Sequence, residues 1–300
     1  MKHIVSFSGG RTSAYLVHLM EQKRKNEGWD VEYVFMDTGA EHPKTYEFIR
    51  NVVKHWGIEL TCLKAVVNPE MGKSNDYKIV SVDELKWDLS VMKTAMKKYG
   101  AFTLNRPYCT EKLKTIIFNK YKADVLETKY KTWLGIRADE PRRIKFTNAN
   151  ADLFKKKTGN PENVHYLAFL SDFEKQDILQ FWQGQEFDLE IQEHEGNCVF
   201  CVKKSLKKIA LAQRDNPELY DDWLEMTNSN DVRIMPADKF GQGRIYRQWH
   251  SPEMVIASFK HVSDTDLKDS IYKSKETAAG SCTESCEVFG CQIDMFEGDA

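Results

Sequence analysis

A glycine- and hydroxyl-rich segment near the start of the chain has the residue types of an anion site. Residues 6–13 read SFSGGRTS, with two adjacent glycines and four hydroxyl side chains. Such a turn directs backbone N–H groups at an oxyanion, and a helix that begins directly after it adds a partial positive charge. The simpler alternative to an anion site is a tight turn between strand and helix that is capped by its own hydroxyl side chains. The segment lacks the GxxxxGK[ST] spacing, so it is not a Walker A loop. We predict a phosphate or sulfate site formed by Ser6, Ser8, Gly9, Gly10, Arg11, Thr12 and Ser13.

Three cysteines have the spacing of a thiolate or metal site. Cys109 lies at the start of a predicted helix, where the helix dipole would lower the thiol pKa. Cys198 and Cys201 form a CxxC motif directly before another predicted helix. A CxxC can be a dithiol, half of a zinc site or part of an iron–sulfur site. Cys62 lies inside a predicted strand and is expected in the core.

The remaining three cysteines lie in a polar segment, SCTESCEVFGC, at residues 281–291. We predict Cys286 as either a fourth metal ligand or the nucleophile. Cys282 and Cys291 are further candidates for the fourth ligand, and His194 could complete a zinc site. Alternatively, three cysteines hold a 4Fe-4S cluster with one open iron, or all three tail thiols are exposed and incidental.

Alternating strands and helices must position these residues. Hydrophobic periodicity and helix punctuation predict strands at 2–7, 31–39, 59–67 and 131–140. They predict helices at 12–25, 43–57, 110–124, 172–183, 201–213 and 217–227, with an irregular insertion at 68–105. This order is typical of an α/β fold with a doubly wound, mostly parallel sheet, whose ligands bind at the carboxyl ends of the strands. Asp37 and Arg137 both fall at such ends.

Composition narrows the class of protein. The chain has 300 residues, of which 41% are hydrophobic and 29% charged, with a net charge of −2. This net charge gives no overall positive potential that would favour nucleic acid. A local basic stripe is formed by Lys203, Lys204, Lys207 and Lys208. Such a stripe is usually a solvated helix face, and the alternative is local attraction of a nucleotide or a nucleic-acid backbone. No apolar run is long enough to span a membrane, and no secretory signal is visible. Seven cysteines, an odd number, favour reduced thiols and a cytoplasmic location.

Four motifs in order carry a resemblance to a known family. The segments SFSGGRTS (6–13), FMDTGAEHPKTYEFI (35–49), GIRADEPRR (135–143) and FLSDFEKQDILQFW (169–182) are similar to those of the phosphoadenosine phosphosulfate (PAPS) reductase family. That family belongs to the adenine nucleotide α-hydrolase superfamily with its pyrophosphate-binding (PP) loop. The resemblance covers roughly residues 1–205 and implies a Rossmann-like nucleotide-binding fold. One departure is Thr12, which stands where the SGGxDS loop of ATP-hydrolysing relatives has a metal-binding Asp.

The resemblance also implies roles for particular residues. By the resemblance, Arg137 would face the phosphates as a catalytic residue. By residue type and position alone, Arg142 and Arg143 would bind a 3′-phosphate or acidic substrate, and Asp37 would contact ribose, an adenine edge or a metal. The alternatives are a solvated charged loop for Arg142 and a capping role for Asp37. Cys109, Cys198 and Cys201 lie where cluster-bearing members have cysteines, although Tyr108 replaces one of a CC pair and the ECGLH motif of the reductases is absent.

Three functions remain open at this stage. The first is reduction of a sulfonucleotide (PAPS or APS, adenosine phosphosulfate) to sulfite, with a thioredoxin-like reductant as partner. The second is ATP-dependent sulfur transfer to tRNA or DNA, and the third is a non-catalytic nucleotide-binding metalloprotein; a homodimer is left open. We predict a nucleotide-binding domain at 1–195, a helical region at 196–275 and a cysteine-containing tail at 276–300.

Overall fold

The first part of the chain alternates strands and helices as its hydrophobic pattern predicts. The computed structural model describes residues 1–126, 129–144, 163–235, 246 and 250–272. Its first elements are β1 (Lys2–Ser6), α1 (Arg11–Glu27), β2 (Asp30–Asp37), α2 (Pro43–Trp56) and β3 (Leu60–Val66). Helix α2 starts with proline at its first position and ends at Gly57, whose left-handed φ of 62° closes the helix.

The later elements add two strands that the sequence did not predict. They are β4 (Asp76–Val80), α3 (Ser90–Tyr99), a π-helix (Thr110–Thr115) that runs into α4 (Ile116–Val125), β5 (Tyr130–Leu134), α5 (Pro141–Ile144), β6 (Val164–Tyr166), α6 (Lys175–Gln183), α7 (Leu206–Asp215), α8 (Pro217–Asn228), α9 (Pro252–Ser258) and α10 (Asp264–Tyr272). Strand β5 ends earlier than predicted because the residues after Leu134 form the turn that carries Arg137.

The sheet has six strands in the order β4-β3-β2-β1-β5-β6. All neighbouring pairs are parallel except β3 and β4, which are antiparallel. The predicted doubly wound, mostly parallel sheet is therefore confirmed. Chain order runs in one direction from β1 to β3 and in the other from β1 to β6 through β5. This reversal leaves a crevice beyond the carboxyl ends of β1 and β5, the usual ligand position in such sheets.

Helices cover both faces of the sheet because neighbouring strand residues point to opposite sides. Val5 and Phe35 belong to a core cluster shared with α1, α2 and α6, whereas Ile4 and Val34 belong to a second cluster. The second cluster also contains Trp223 of α8 and Val255 of α9, so helices after residue 195 share a core with the sheet. In the described part of the chain, no helix has the length and apolarity needed to cross a membrane.

Candidate functional site

The predicted anion loop is a hydrogen-bonded turn between β1 and α1. The Ser8 hydroxyl donates to Ser13 Oγ at 2.8 Å, the Ser8 amide approaches the same oxygen at 3.2 Å, and Ser13 Oγ donates to the Gly10 carbonyl at 3.0 Å. Gly10 caps α1 without a side-chain hydrogen bond, and the first turn of that helix has no acidic residue. The helix N-terminus therefore keeps a positive potential next to the loop.

A glycine is required inside this loop. Gly9 has φ of +83°, and a Cβ there would lie 2.9 Å from Thr45 Cγ2 and 3.1 Å from Ile49 Cδ1. The loop therefore packs directly on α2, and any side chain at position 9 meets both strain and crowding. Two buried hydroxyls lie in this region: Ser6 Oγ and Thr45 Oγ1 have no hydrogen-bond partner within the described residues. Buried donors without partners cost free energy unless a ligand satisfies them.

Arg11 does not have the phosphate-binding arrangement that its residue type suggested. Its guanidinium makes a two-pronged ion pair with Asp188, at 2.7 Å from Nε to Oδ1 and 2.9 Å from Nη2 to Oδ2. It also donates to the Leu189 carbonyl, and the Arg11 carbonyl accepts from Trp182 Nε1 at 3.1 Å. Arg11 thus joins the loop to α6 and the segment that follows it.

Arg137 meets the loop across the crevice. Its Nη1 donates to Thr12 Oγ1 at 3.2 Å, and both residues are buried. Asp139 holds the other side of the guanidinium at 2.8 and 3.2 Å, and the Glu140 carboxylate accepts from the Arg137 amide at 3.0 Å. The predicted proximity of the loop and the turn after β5 follows from the adjacency of β1 and β5.

Asp37 stands at the end of β2, with 1% of its surface exposed. Its Oδ1 accepts from the Gly39 amide at 2.8 Å and the Tyr46 hydroxyl at 3.0 Å, while Lys64 Nζ lies 3.7 Å from Oδ2. Burial raises the Asp37 pKa, and these partners oppose that effect. The geometry matches the capping alternative, because the carboxylate closes the turn that follows the strand.

Cys109 and the distant CxxC motif line one pocket. Cys109, Cys198 and Cys201 share it with Thr38, Lys114 and Lys203, among other residues. Cys198 lies 3.7 Å from Thr38 Oγ1 and 3.8 Å from Glu41 Oε1, and the segments around Glu41 and Cys198 form a short antiparallel bridge. Since Thr38 directly follows Asp37, the thiol pocket lies at the same carboxyl edge of the sheet as the anion loop.

Burial governs the acidity of these thiols. It raises the pKa of Cys109 to about 11, and raises that of Cys198 well above its usual value. The expectation that the helix N-terminus would lower the Cys109 pKa is therefore wrong, since desolvation outweighs the helix dipole and the nearby Lys203 and Lys114. Three thiols gathered in a buried pocket become thiolates when a cation compensates them, which is the chemistry of a metal or cluster ligand.

The three cysteine sulfurs lie farther apart than the ligands of a single tetrahedral zinc ion. Zinc–sulfur bonds of about 2.3 Å in a tetrahedron bring ligand sulfurs within about 4 Å of one another. Among the described residues, the group whose donor atoms all lie within 4.8 Å is His194, Glu195 and Asp215, and not the three cysteines. A cluster separates its cysteines because each sulfur binds a different iron.

His194 is bound elsewhere. Its Nε2 contacts Asp215 Oδ2 at 2.7 Å and its Nδ1 contacts the Tyr272 hydroxyl at 2.7 Å. The expected role as a zinc ligand beside the cysteines therefore does not match this geometry, because both ring nitrogens already have partners. The network instead fixes the end of α10 to the segment that leads into the CxxC motif.

The basic stripe after the CxxC is solvated only in part, since Lys207 is exposed whereas Lys204 and Lys208 are buried. Lys204 is buried and donates to the carbonyls of His194 and Val199 at 2.7 and 2.8 Å, and burial lowers its pKa to about 8. Lys208 is also buried and pairs with Glu193 at 3.0 Å. Two of the four lysines therefore support the CxxC segment from inside, a role that charge spacing alone does not reveal.

The structure thus unites most of the predicted site and adds residues to it. Thr45, Glu41 and Lys114 were missed, although the first two lie within the 35–49 motif. Lys114 is buried and lies 3.4 Å from Glu41 Oε1. Cys62 is fully buried in β3, as predicted. Cys286 and the side chain of Arg142 lie outside the described part of the chain, and their roles stay predictions.

The sheet order and the loop after β1 define a doubly wound α/β protein with a candidate anion-binding loop. The family model of the phosphoadenosine phosphosulfate reductase domain matches residues 2–190. The chain belongs to this family. The resemblance inferred from the four motifs is thereby confirmed.

Three known proteins are similar to the chain. The uncharacterized nin region protein ORF290 of Escherichia phage lambda is 44% identical over 303 residues, 98% of either chain. An uncharacterized protein of Methanocaldococcus jannaschii is 24% identical over 231 residues, which cover 73% of this chain and 40% of that protein. Among solved structures, the U34-tRNA thiolase NcsA from Methanococcus maripaludis with its 4Fe-4S cluster aligns with a TM-score of 0.35 and 14% identity, covering 96% of this chain and 80% of its own.

Proposed function

We propose that the protein binds an adenine sulfonucleotide at its first loop and reduces the phosphosulfate group to sulfite with cysteine thiols. The observation that supports this most is the placement of two sites at one edge of the sheet. The anion loop follows β1, and the three-thiol pocket adjoins Thr38 at the end of the neighbouring β2. An anionic ligand in the loop therefore lies on the side of the molecule where its sulfur chemistry would occur.

The loop would bind the phosphate part of the nucleotide. The backbone N–H groups at the start of α1 and the Ser6 hydroxyl, which has no partner within the described residues, are donors suited to phosphate oxygens. Arg137 would add a positive charge from the opposite side, since its Nη1 already reaches Thr12 in the loop. Arg11 would act indirectly, by holding the loop against Asp188.

The reaction would proceed through a cysteine bearing an SO3 group. A thiolate attacks the sulfur of the phosphosulfate, its S–S bond forms, and the sulfur–oxygen bond breaks with the electron pair leaving on the nucleotide phosphate. A second thiol then attacks the modified cysteine sulfur, which releases sulfite and leaves a disulfide. Two electrons from a thioredoxin-like dithiol restore the thiols. We assign the first attack to Cys286, as predicted from the sequence.

A 4Fe-4S cluster fits the pocket, with Cys109, Cys198 and Cys201 as its ligands. Their partial burial, their shared pocket and the two lysines at its wall, Lys114 and Lys203, support this assignment. When bound, the cluster would supply positive charge that stabilises the three thiolates and redox-active iron beside the substrate. The three cysteines leave one coordination position for Cys286 or for substrate.

Product analysis tests the proposal. Protein purified without oxygen is incubated with PAPS, APS or ATP in the presence of a dithiol reductant, and nucleotides and sulfite are separated by chromatography. Sulfite with adenosine bisphosphate from PAPS, or with AMP from APS, is the expected result. AMP and pyrophosphate from ATP, without turnover of either sulfonucleotide, would contradict it and indicate sulfur transfer to a nucleic acid. Binding without any product would indicate a non-catalytic nucleotide-binding protein.

A further inference from the structure

Thr12 is the loop residue that contacts Arg137 in the turn after β5. Thr12 is 3% exposed, is the second residue of α1, and accepts from Arg137 Nη1 at 3.2 Å. Magnesium at nucleotide phosphates is usually bound through one or two carboxylates together with the phosphates themselves. The first turn of α1 offers none, since it contains no acidic residue. The group that reaches this point of the loop is instead a guanidinium.

Within the part of the chain that the structure describes, Asp188, Asp139 and Glu140 near the loop are already engaged by protein cations or donors. Asp188 is bound on both oxygens by Arg11, and Asp139 on both oxygens by Arg137. Glu140 accepts from the Arg137 amide at 3.0 Å and from Arg143 Nη1 at 2.5 Å. Each of these carboxylates would have to break an ion pair or hydrogen bond before it could bind a metal ion.

Asp37 is engaged as well, by the Gly39 amide, the Tyr46 hydroxyl and Lys64. These three partners leave the Asp37 carboxylate engaged by protein donors and a protein cation. The loop region thus combines saturated carboxylates with a buried donor, Ser6 Oγ, that has no partner in the described part of the chain. Unpartnered hydroxyl donors suit the oxygens of a bare anion.

We infer that the loop binds its nucleotide as a metal-free anion, and that the contact between Thr12 and Arg137 takes the place of a carboxylate-held divalent cation. The inference rests on the proposed function in one respect, the binding of an adenine nucleotide at this loop. Charge balance explains why position 12 decides the outcome. Arg137 and Arg143 are paired with Asp139 and Glu140, so a carboxylate at position 12 would compete with Asp139 for Arg137 and place a negative charge next to the bound phosphates.

Three variants at one position separate charge from shape. Thr12→Asp adds a negative charge next to the bound phosphates, Thr12→Asn adds the same shape without the charge, and Thr12→Ser keeps the hydroxyl. Binding of adenosine 3′,5′-bisphosphate and of ATP is measured by calorimetry, in EDTA and in excess magnesium. Circular dichroism and urea unfolding of each variant show whether it is folded.

The inference predicts that wild-type affinity is the same, within about twofold, in EDTA and in magnesium. Thr12→Asp should weaken binding in EDTA by about tenfold or more relative to Thr12→Asn, with recovery in magnesium, and neither Thr12→Asn nor Thr12→Ser should gain affinity from magnesium. Wild-type binding that disappears in EDTA would overturn the inference, as would a Thr12→Asp variant that binds in EDTA like the Asn variant.

These outcomes are distinct from failure of the proposed function. Metal-dependent binding accompanied by sulfite release from PAPS would refute the metal-free inference alone. Metal-free binding without sulfite release would refute the reductase proposal alone. If no adenine nucleotide binds under either condition, both are refuted.

Discussion

The turn after β2 offers a sharp test of how the structure places the thiol pocket. Gly39 has φ of +74°, and a Cβ at this position would lie 1.9 Å from the carbonyl oxygen of Asp88. The two backbones are joined there by a hydrogen bond of 2.9 Å from the Asp88 amide to the Gly39 carbonyl. An alanine at position 39 therefore has to separate two segments that now touch.

The cost of Gly39→Ala can be estimated against a matched control. Gly28 has a similar φ of +68°, but nothing lies within 4 Å of a Cβ built on it. Gly28→Ala should therefore lower the free energy of unfolding by about 1–2 kcal/mol, the cost of a left-handed conformation. Gly39→Ala should have the same backbone strain, lose about 1 kcal/mol for the hydrogen bond and also displace the neighbouring backbone. Its free energy of unfolding should therefore decrease by about 2–4 kcal/mol in total.

Urea unfolding, followed by tryptophan fluorescence, measures both variants in the same metal-free protein. The same preparations, loaded with iron and sulfide without oxygen, show whether the pocket survives. We expect Gly39→Ala to bind less iron than Gly28→Ala, because the displaced turn carries Thr38 and Glu41, which contact Cys198. Equal losses of stability in the two variants would refute the close approach of Gly39 and Asp88.

Three further predictions follow from the site. In protein purified without oxygen, Cys198→Ser should contain no bound iron. Cys62→Ser changes a buried strand residue away from the pocket and should keep the wild-type iron content. An unchanged iron content in Cys198→Ser would rule out the cluster. Arg137→Ala should weaken nucleotide binding about tenfold or more in calorimetry, whereas Arg11→Ala should mainly reduce stability, because Asp188 already holds Arg11; the reverse order would contradict the assignment. Burial lowers the pKa of His165 from 6.5 to about 4, so between these two pH values the unfolded chain binds a proton at this histidine that the folded chain does not. The free energy of unfolding, measured in urea, should therefore decrease as the pH is lowered through this window. It should decrease less steeply in His165→Gln, and equal slopes would contradict the shift.

The order of elements could be predicted from sequence because hydrophobic periodicity and helix punctuation are local signals. The first three strands and first two helices agree with prediction to within a few residues. Strand β6, with three residues, is too short to carry a periodicity, and β4 is half exposed at the sheet edge. The anion loop was identifiable because its glycines and hydroxyls are adjacent in the chain.

The interactions that decide individual roles depend on tertiary contacts. Arg11 has the side chain of a phosphate ligand, yet its partner is Asp188, 177 residues away. The acidity of Cys109 was predicted with the wrong sign because a helix terminus is visible in sequence, whereas desolvation by the surrounding core is not. Lys204 shows the same limit, since a lysine stripe looks solvated until the carbonyls that bind it are located.

In the proposed reaction, a cysteine of this protein accepts the SO3 group of an adenine sulfonucleotide bound at the first loop. The most direct test is intact-protein and peptide mass spectrometry after anaerobic incubation with PAPS in the absence of reductant. We expect a mass increase of one SO3 group on a single cysteine, assigned to Cys286. This group should be released as sulfite when a dithiol is added, and the Gly9→Val variant should carry no such adduct. Nucleotide binding at wild-type affinity with no SO3 adduct on any cysteine, and no sulfite after reduction, would contradict it.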